Sequence, residues 1–74
     1  MNTTIVDGKT VKVGDSVCFK SDIEQHGRIV EIRRAKWGNG VELKLKSPYL
    51  EGFQGGYIGG QEYTVELASD CWVE

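Results

Sequence analysis

WGNGVELKLK, residues 37–46, decides the fold. Asn-Gly is the strongest short hairpin signal, because both residues tolerate the positive φ that a tight two-residue turn demands. Beyond it Val41, Leu43 and Leu45 alternate with Glu42, Lys44 and Lys46. A period of two is that of a strand with one buried and one solvated face. The stretch therefore predicts the tip of a hairpin at 37–40 and its returning strand at 41–46.

Upstream, Arg28 to Arg33 alternates less cleanly: Ile29 and the pair Val30 and Ile32 suit a strand that curves between two faces of a small barrel. Ser21 to His26 reads as a polar bend, and Ser16 to Lys20 as a strand with Val17 and Phe19 on one face. Gly14-Asp15 marks a turn. Ile5-Val6, Asp7-Gly8 and Lys9-Thr10-Val11 form a hairpin closed by Asp-Gly. Downstream, Ser47-Pro48 stops the strand, a glycine-rich stretch follows, and Glu62 to Leu67 reads as a strand with Tyr63, Val65 and Leu67 inward. Ala68 to Val73 supplies a tight turn and a last short strand.

Ten glycines against one proline, with short β-branched and aromatic runs between them, are the punctuation of strands rather than helices. A chain of 74 residues supports one core, so residues 1–74 form a single domain. Strands at roughly ten-residue spacing in so short a chain favour an all-β fold, a small SH3-like barrel of five to six short antiparallel strands. An OB-like barrel is the alternative, although it usually takes more residues and a helix.

VKVGDSVCFKSDIEQHGRIVEIRR, residues 11–34, resembles the KOW and Tudor-like group of SH3-like barrels through Gly14, Asp15, Val17, Gly27, Ile29 and Ile32. The likeness covers about a third of the chain. It implies an SH3-like fold and contact with RNA, DNA or protein. The acidic and polar residues Asp22, Glu24, Gln25 and His26 depart from the group's pattern at the bend and argue against nucleic-acid binding there. The whole chain, especially GFQGGYIGG with DCWVE, is also similar to small uncharacterised bacteriophage and bacterial proteins, a likeness that carries no activity.

The net charge of −2 is unevenly laid out. Residues 28–46 carry six bases and two acids, whereas residues 47–74 carry five acids and no base. The middle of the chain attracts phosphate and its last third repels it. No apolar run approaches the roughly 20 residues of a membrane span, and the first residues lack a secretory pattern, so a cytoplasmic location without membrane contact is expected. Two cysteines, 53 residues apart, are too few for a disulfide framework and match no zinc spacing. Cys18 and Cys71 are expected to be buried thiols near Trp72, with no metal and no cofactor.

Three surfaces carry candidate function. GFQGGYIGGQEY, residues 52–63, places five glycines among aromatics. No helix and no Lys or Arg follows, which excludes a phosphate loop. Either the glycines allow positive φ and close backbone approach beside packed Phe53 and Tyr57, or Tyr49, Phe53 and Tyr57 offer flat faces to a peptide or a base. RRAKWGNGVELKLK sets Arg33, Arg34 and Lys36 beside Trp37, with Lys44 and Lys46 on the returning strand. Such a surface stacks bases and neutralises phosphates, or anchors a protein, or merely keeps an edge solvated.

The expected function is a non-enzymatic binding module that contacts a protein partner through Arg33, Arg34, Lys36, Trp37, Tyr49, Phe53 and Tyr57. The alternative is nucleic-acid binding through Arg28, Arg33, Arg34, Lys36, Trp37, Lys44 and Lys46, with the acidic C-terminal third facing away. A small-ligand role at a subunit junction is a third class, and oligomeric state is left open. Catalysis by a Cys-His pair is not expected, since it would need His26 within hydrogen-bond reach of a cysteine and His26 falls in the polar bend next to Gly27, where exposure is expected.

Overall fold

The computed structural model describes residues 1–74 and is built of strands. The order is β1 (Thr3–Val6), β2 (Lys9–Lys12), β3 (Ser16–Ser21), β4 (Ile23–Arg34), β5 (Val41–Lys46) and β6 (Tyr63–Leu67), followed by one 3-10 turn, Ala68–Asp70. β1 and β2 form a two-stranded sheet; the other four form a second antiparallel sheet in chain order, β3-β4-β5-β6.

The local chemistry explains most of these elements. Val6 faces Lys9 across a two-residue turn in which Asp7 and Gly8 both take positive φ, 52° and 75°, the conformation that Asp-Gly supplies at low steric cost. Gly14 takes φ 102° at the next turn. There Asp15 accepts hydrogen bonds from the Lys12 backbone N–H and from Lys12 Nζ, both at 3.0 Å. These two bonds, the backbone one first, hold the Asp15 carboxyl below the ordinary aspartate range.

The expected polar bend at Ser21–His26 is not there. Ser21 pairs with Ile23 around Asp22 alone, which takes φ 69°, and Glu24, Gln25 and His26 are already in register with β3. The strand survives its polar sequence because inward-facing Gln25 is satisfied at both ends. Its Nε2 donates to Gln54 O, and its Oε1 accepts from Gln54 N–H, each at 2.9 Å.

Further along β4, the register slips between Ile29 and Glu31. A bulge inserts one residue and resets the alternation. Gln25, Gly27 and Ile29 are therefore buried before it and Ile32 after it, the change of face expected from Ile29, Val30 and Ile32.

β5 buries Leu43 and Leu45 as the alternation requires. β6 does the reverse of what its apolar residues suggest. Thr64 is buried, while Tyr63, Val65 and Leu67 are 39%, 42% and 41% exposed. Register with β5 sets the face: Thr64 opposes buried Leu45 and Glu66 opposes buried Leu43, and opposed residues share a side of the sheet.

After the 3-10 turn the chain crosses to the far edge of the sheet. Trp72 bridges Cys18 of β3 through two backbone hydrogen bonds, of 2.8 and 3.0 Å. That bridge is the only ladder closing the four-stranded sheet on its β3 side, and the outer edge of β6 stays open. The all-β expectation is met, in two antiparallel sheets without complete closure.

One cluster of eleven buried residues forms the core. Phe53 belongs to it. At 2% exposure its ring meets Phe19 edge to face, with centroids 5.4 Å apart and planes at 83°. Gly27 makes room for it: a Cβ there would lie 3.2 Å from Phe53 Cζ and 3.0 Å from Leu45 Cβ.

Candidate functional site

The β4–β5 connection, residues 35–40, is closed by the Ala35 N–H donating to Gly40 O at 2.9 Å. The hairpin is the one the sequence predicts, but its turn differs. Gly38, not Asn39 or Gly40, carries the positive φ, 78°, so the loop is six residues long rather than a two-residue Asn-Gly turn. The longer loop lifts Trp37 off both strands, leaving it 87% exposed.

The basic residues divide into tied and free. Arg33 Nε donates to Glu42 Oε1 at 3.1 Å, and its Nη1 lies 3.6 Å from Glu31; it fastens β4 to β5. Lys46 lies 3.8 Å from Glu62, and the Lys44 ammonium sits 4.8 Å from the centre of the Tyr63 ring. Arg28, Arg34 and Lys36 have no carboxylate partner among the ion pairs. The Lys46–Glu62 pair also corrects the expectation that the acidic C-terminal third faces away from the bases: β6 is hydrogen-bonded to basic β5 and brings Glu62 against it.

The aromatic residues expected to act together are not brought together. Phe53 is withdrawn into the core, so it presents no face to a partner. Tyr49 lies past the far end of β5 from Trp37, a strand length of about 20 Å at ~3.3 Å per residue. It meets the His26 ring at 6.4 Å between centroids, on the wall of an open cleft of about 730 Å³ that also includes Arg28, Lys46, Ser47, Leu50 and Glu62. Tyr57 is 79% exposed beyond the β3–β4 turn, where Gly56 N–H donates to Asp22 Oδ2 at 2.9 Å. Trp37 and Tyr57 thus lie at opposite ends of β4. Among the expected residues only Arg34, Lys36 and Trp37 form one compact exposed group, with Arg33 at its base.

The glycine-rich stretch spends its backbone groups internally. Phe53 N–H donates to Gln61 O at 2.7 Å and Gly60 N–H to Phe53 O at 2.9 Å, pinching the loop shut behind the buried ring. Gly52, Gly55 and Gly60 take φ of 88°, 95° and 84°. A Cβ at Gly59 would collide with Gly55 O. The stretch is a narrow passage that delivers Phe53 to the core, not a cradle.

His26 is exposed, as expected, but it lies in a strand and not a bend, and the register makes it the cross-strand partner of Cys18. The missed signal was the strand itself, hidden by its polar residues. The pair lacks the electrostatics of a nucleophile. The Cys18 thiol is raised by burial and by Glu74, and burial pushes Cys71 up to about 12 with help from Glu66 and Asp70. A reactive cysteine needs the opposite shift. Both cysteines are free, and no group of three or more His, Cys, Asp or Glu is arranged to hold a metal ion. No helix is long and apolar enough to cross a membrane.

Comparison of the chain with family models, curated proteins and solved structures finds no match.

Proposed function

We propose that this chain is a non-enzymatic, cytoplasmic binding module of the SH3-like kind that grips a partner protein through the β4–β5 tip. The SH3-like reading is supported by the order of elements: a four-stranded antiparallel meander, one 3-10 turn, and a terminal segment bridged back to the first strand of the meander. An OB-like barrel would be expected to carry a helix.

The carrying observation is the 87% exposure of Trp37 at the end of a strand pair fastened by Arg33, Glu31 and Glu42. Leaving a tryptophan in water forfeits a large apolar burial, and Trp and Arg are the residues that most often dominate the energy of protein interfaces. Trp37 is the anchor in this reading. Arg34 and Lys36 orient the partner, while Tyr49 and Tyr57 lie outside this compact group.

The test is affinity capture from cell extract with the wild-type chain and with Trp37→Ala, read by quantitative mass spectrometry. The expected result is at least one protein lost from the Trp37→Ala capture by about tenfold, a change of ~1.4 kcal/mol, within the range of interface anchors. An unchanged partner set contradicts the proposal.

Nucleic-acid binding is the second reading, favoured by the unpaired Arg28, Arg34 and Lys36 and opposed by the tied Arg33 and Lys46. It requires labelled oligonucleotide to bind at low salt, with affinity falling steeply as salt rises. It also requires Arg34→Gln with Lys36→Gln to flatten that slope.

A further inference from the structure

The outer edge of β6 has no strand beside it. β6 is the last strand of its sheet, and the Ser47 N–H donating to Glu62 O at 2.8 Å fixes which of its backbone groups face β5. In an antiparallel pair the bonded positions alternate. Thr64 and Glu66, opposite Leu45 and Leu43, therefore turn their N–H and C=O toward β5, while those of Tyr63, Val65 and Leu67 face outward. No other element's backbone bonds to them. The sole partner found there is Cys71 Sγ, 3.4 Å from Leu67 O.

Exposed edges are normally blunted by lysine, proline, a bulge or an inward charge. Tyr63-Thr64-Val65-Glu66-Leu67 has no lysine, no proline and no bulge. It has one inward charge, the half-buried Glu66. On the outer side Tyr63, Val65 and Leu67 form an unbroken apolar row, each about 40% exposed. On the strand's other side Glu66 Oε2 accepts from Thr64 Oγ1 at 2.6 Å, and Asp70 is exposed in the 3-10 turn that follows the strand. From Glu62 onward the chain carries four acids and no base.

We infer that this edge accepts an extended segment of a partner protein as an added strand. Apolar residues of that segment lie beside Tyr63, Val65 and Leu67, and alternate Lys or Arg residues lie beside Glu66 and Asp70. Backbone pairing supplies the attachment and the alternating side chains the choice of partner. The same charges select against a second copy, because antiparallel pairing of two β6 strands would bring one acidic stretch against another. Lys44, above the Tyr63 ring, disfavours bases on the apolar side. This surface is separate from the Trp37 tip and does not depend on it.

The test uses the isotope-labelled full chain, titrated to about 1 mM, the weak end of useful affinity, with a blocked seven-residue peptide of alternating lysine and valine. A glutamate–valine peptide of the same length is the control. The expected result is saturable shifts of backbone amides confined to residues 62–70, weakening as salt rises and at least roughly tenfold weaker for the acidic peptide.

Val65→Pro removes an outward N–H without touching the β5 ladder, and Val65→Lys places a charge in the apolar row. Either is expected to weaken binding by about tenfold, and Trp37→Ala to leave it unchanged. Absence of shifts, shifts centred elsewhere, equal binding of the acidic peptide, or loss of binding in Trp37→Ala overturns the inference. So does self-association of the chain through residues 63–67.

Discussion

Replacing Phe53 by alanine is expected to unfold the protein or bring it to the edge of unfolding. Truncating a buried Phe costs about 3–5 kcal/mol, because the transfer energy of the ring is lost and a cavity is left. A chain of this length has a net stability of only about 4–11 kcal/mol at ~0.05–0.15 kcal/mol per residue. The site cannot collapse easily. One side of the ring is Phe19, edge-on at 5.4 Å; another is the bare backbone of Gly27, which has no side chain to move in. Denaturant unfolding of Phe53→Ala beside Tyr57→Ala checks this. The exposed Tyr57 should change stability by less than about 0.5 kcal/mol, as surface substitutions usually do. Equal effects of the two changes would mean that the ring does not occupy the core.

Gly52→Ala is the second large effect. At φ 88° an alanine is strained whatever the space around it, at a cost on the order of 1–3 kcal/mol. Its Cβ would also lie 2.5 Å from Gln61 O and 2.7 Å from the Gly60 carbonyl carbon. Both are main-chain atoms, so no rotamer change relieves the contact. Backbone must shift, and the Phe53 N–H to Gln61 O bond that pins the loop shifts with it. Gly40→Ala is the matched control. Its φ lies outside the left-handed region, and the nearest atom to a new Cβ is Leu67 Cδ2 at 3.5 Å, ordinary van der Waals contact. Thermal melting should show Gly52→Ala destabilised by about 2 kcal/mol or more and Gly40→Ala nearly unchanged.

These two residues also mark where the sequence ceased to be legible. Strict alternation at Val41–Lys46, and at Val17 and Phe19, gave the right strands and the right inward faces, because a period of two with one apolar face has a single consistent reading. Asp7-Gly8 gave its turn because the dipeptide carries its own backbone preference. Phe53 packed beside the glycines was one of two readings of its stretch; the structure bears it out for Phe53 and not for the exposed Tyr57, and nothing local chose between the readings. Phe53 sits in an irregular glycine-rich segment with no period, and its inward course is set by Gly27, 26 positions away, and by the Gln25–Gln54 bonds.

β6 failed for another reason. Its apolar residues alternate cleanly, but as an edge strand it turns them outward, and only its register with β5 decides which face is buried. The polar residues of early β4 hid a strand, and with it the Cys18–His26 pairing, because Gln25 is satisfied by a partner distant in sequence. At the candidate site, Trp37, Arg34 and Lys36 were legible as one group because they are near neighbours in the chain. Their separation from Tyr49 and Tyr57 follows from the length and direction of β4 and β5 and is a property of the assembled sheet.

The central functional claim is that the partner meets the Trp37 tip while the glycine-rich connection serves the core. Its most direct test is a photo-crosslinking side chain placed in cells at position 37 in one variant and at position 57 in another. A discrete protein crosslink is expected from position 37 and none from position 57. A crosslink confined to position 57, or one from position 37 to nucleic acid alone, would contradict it.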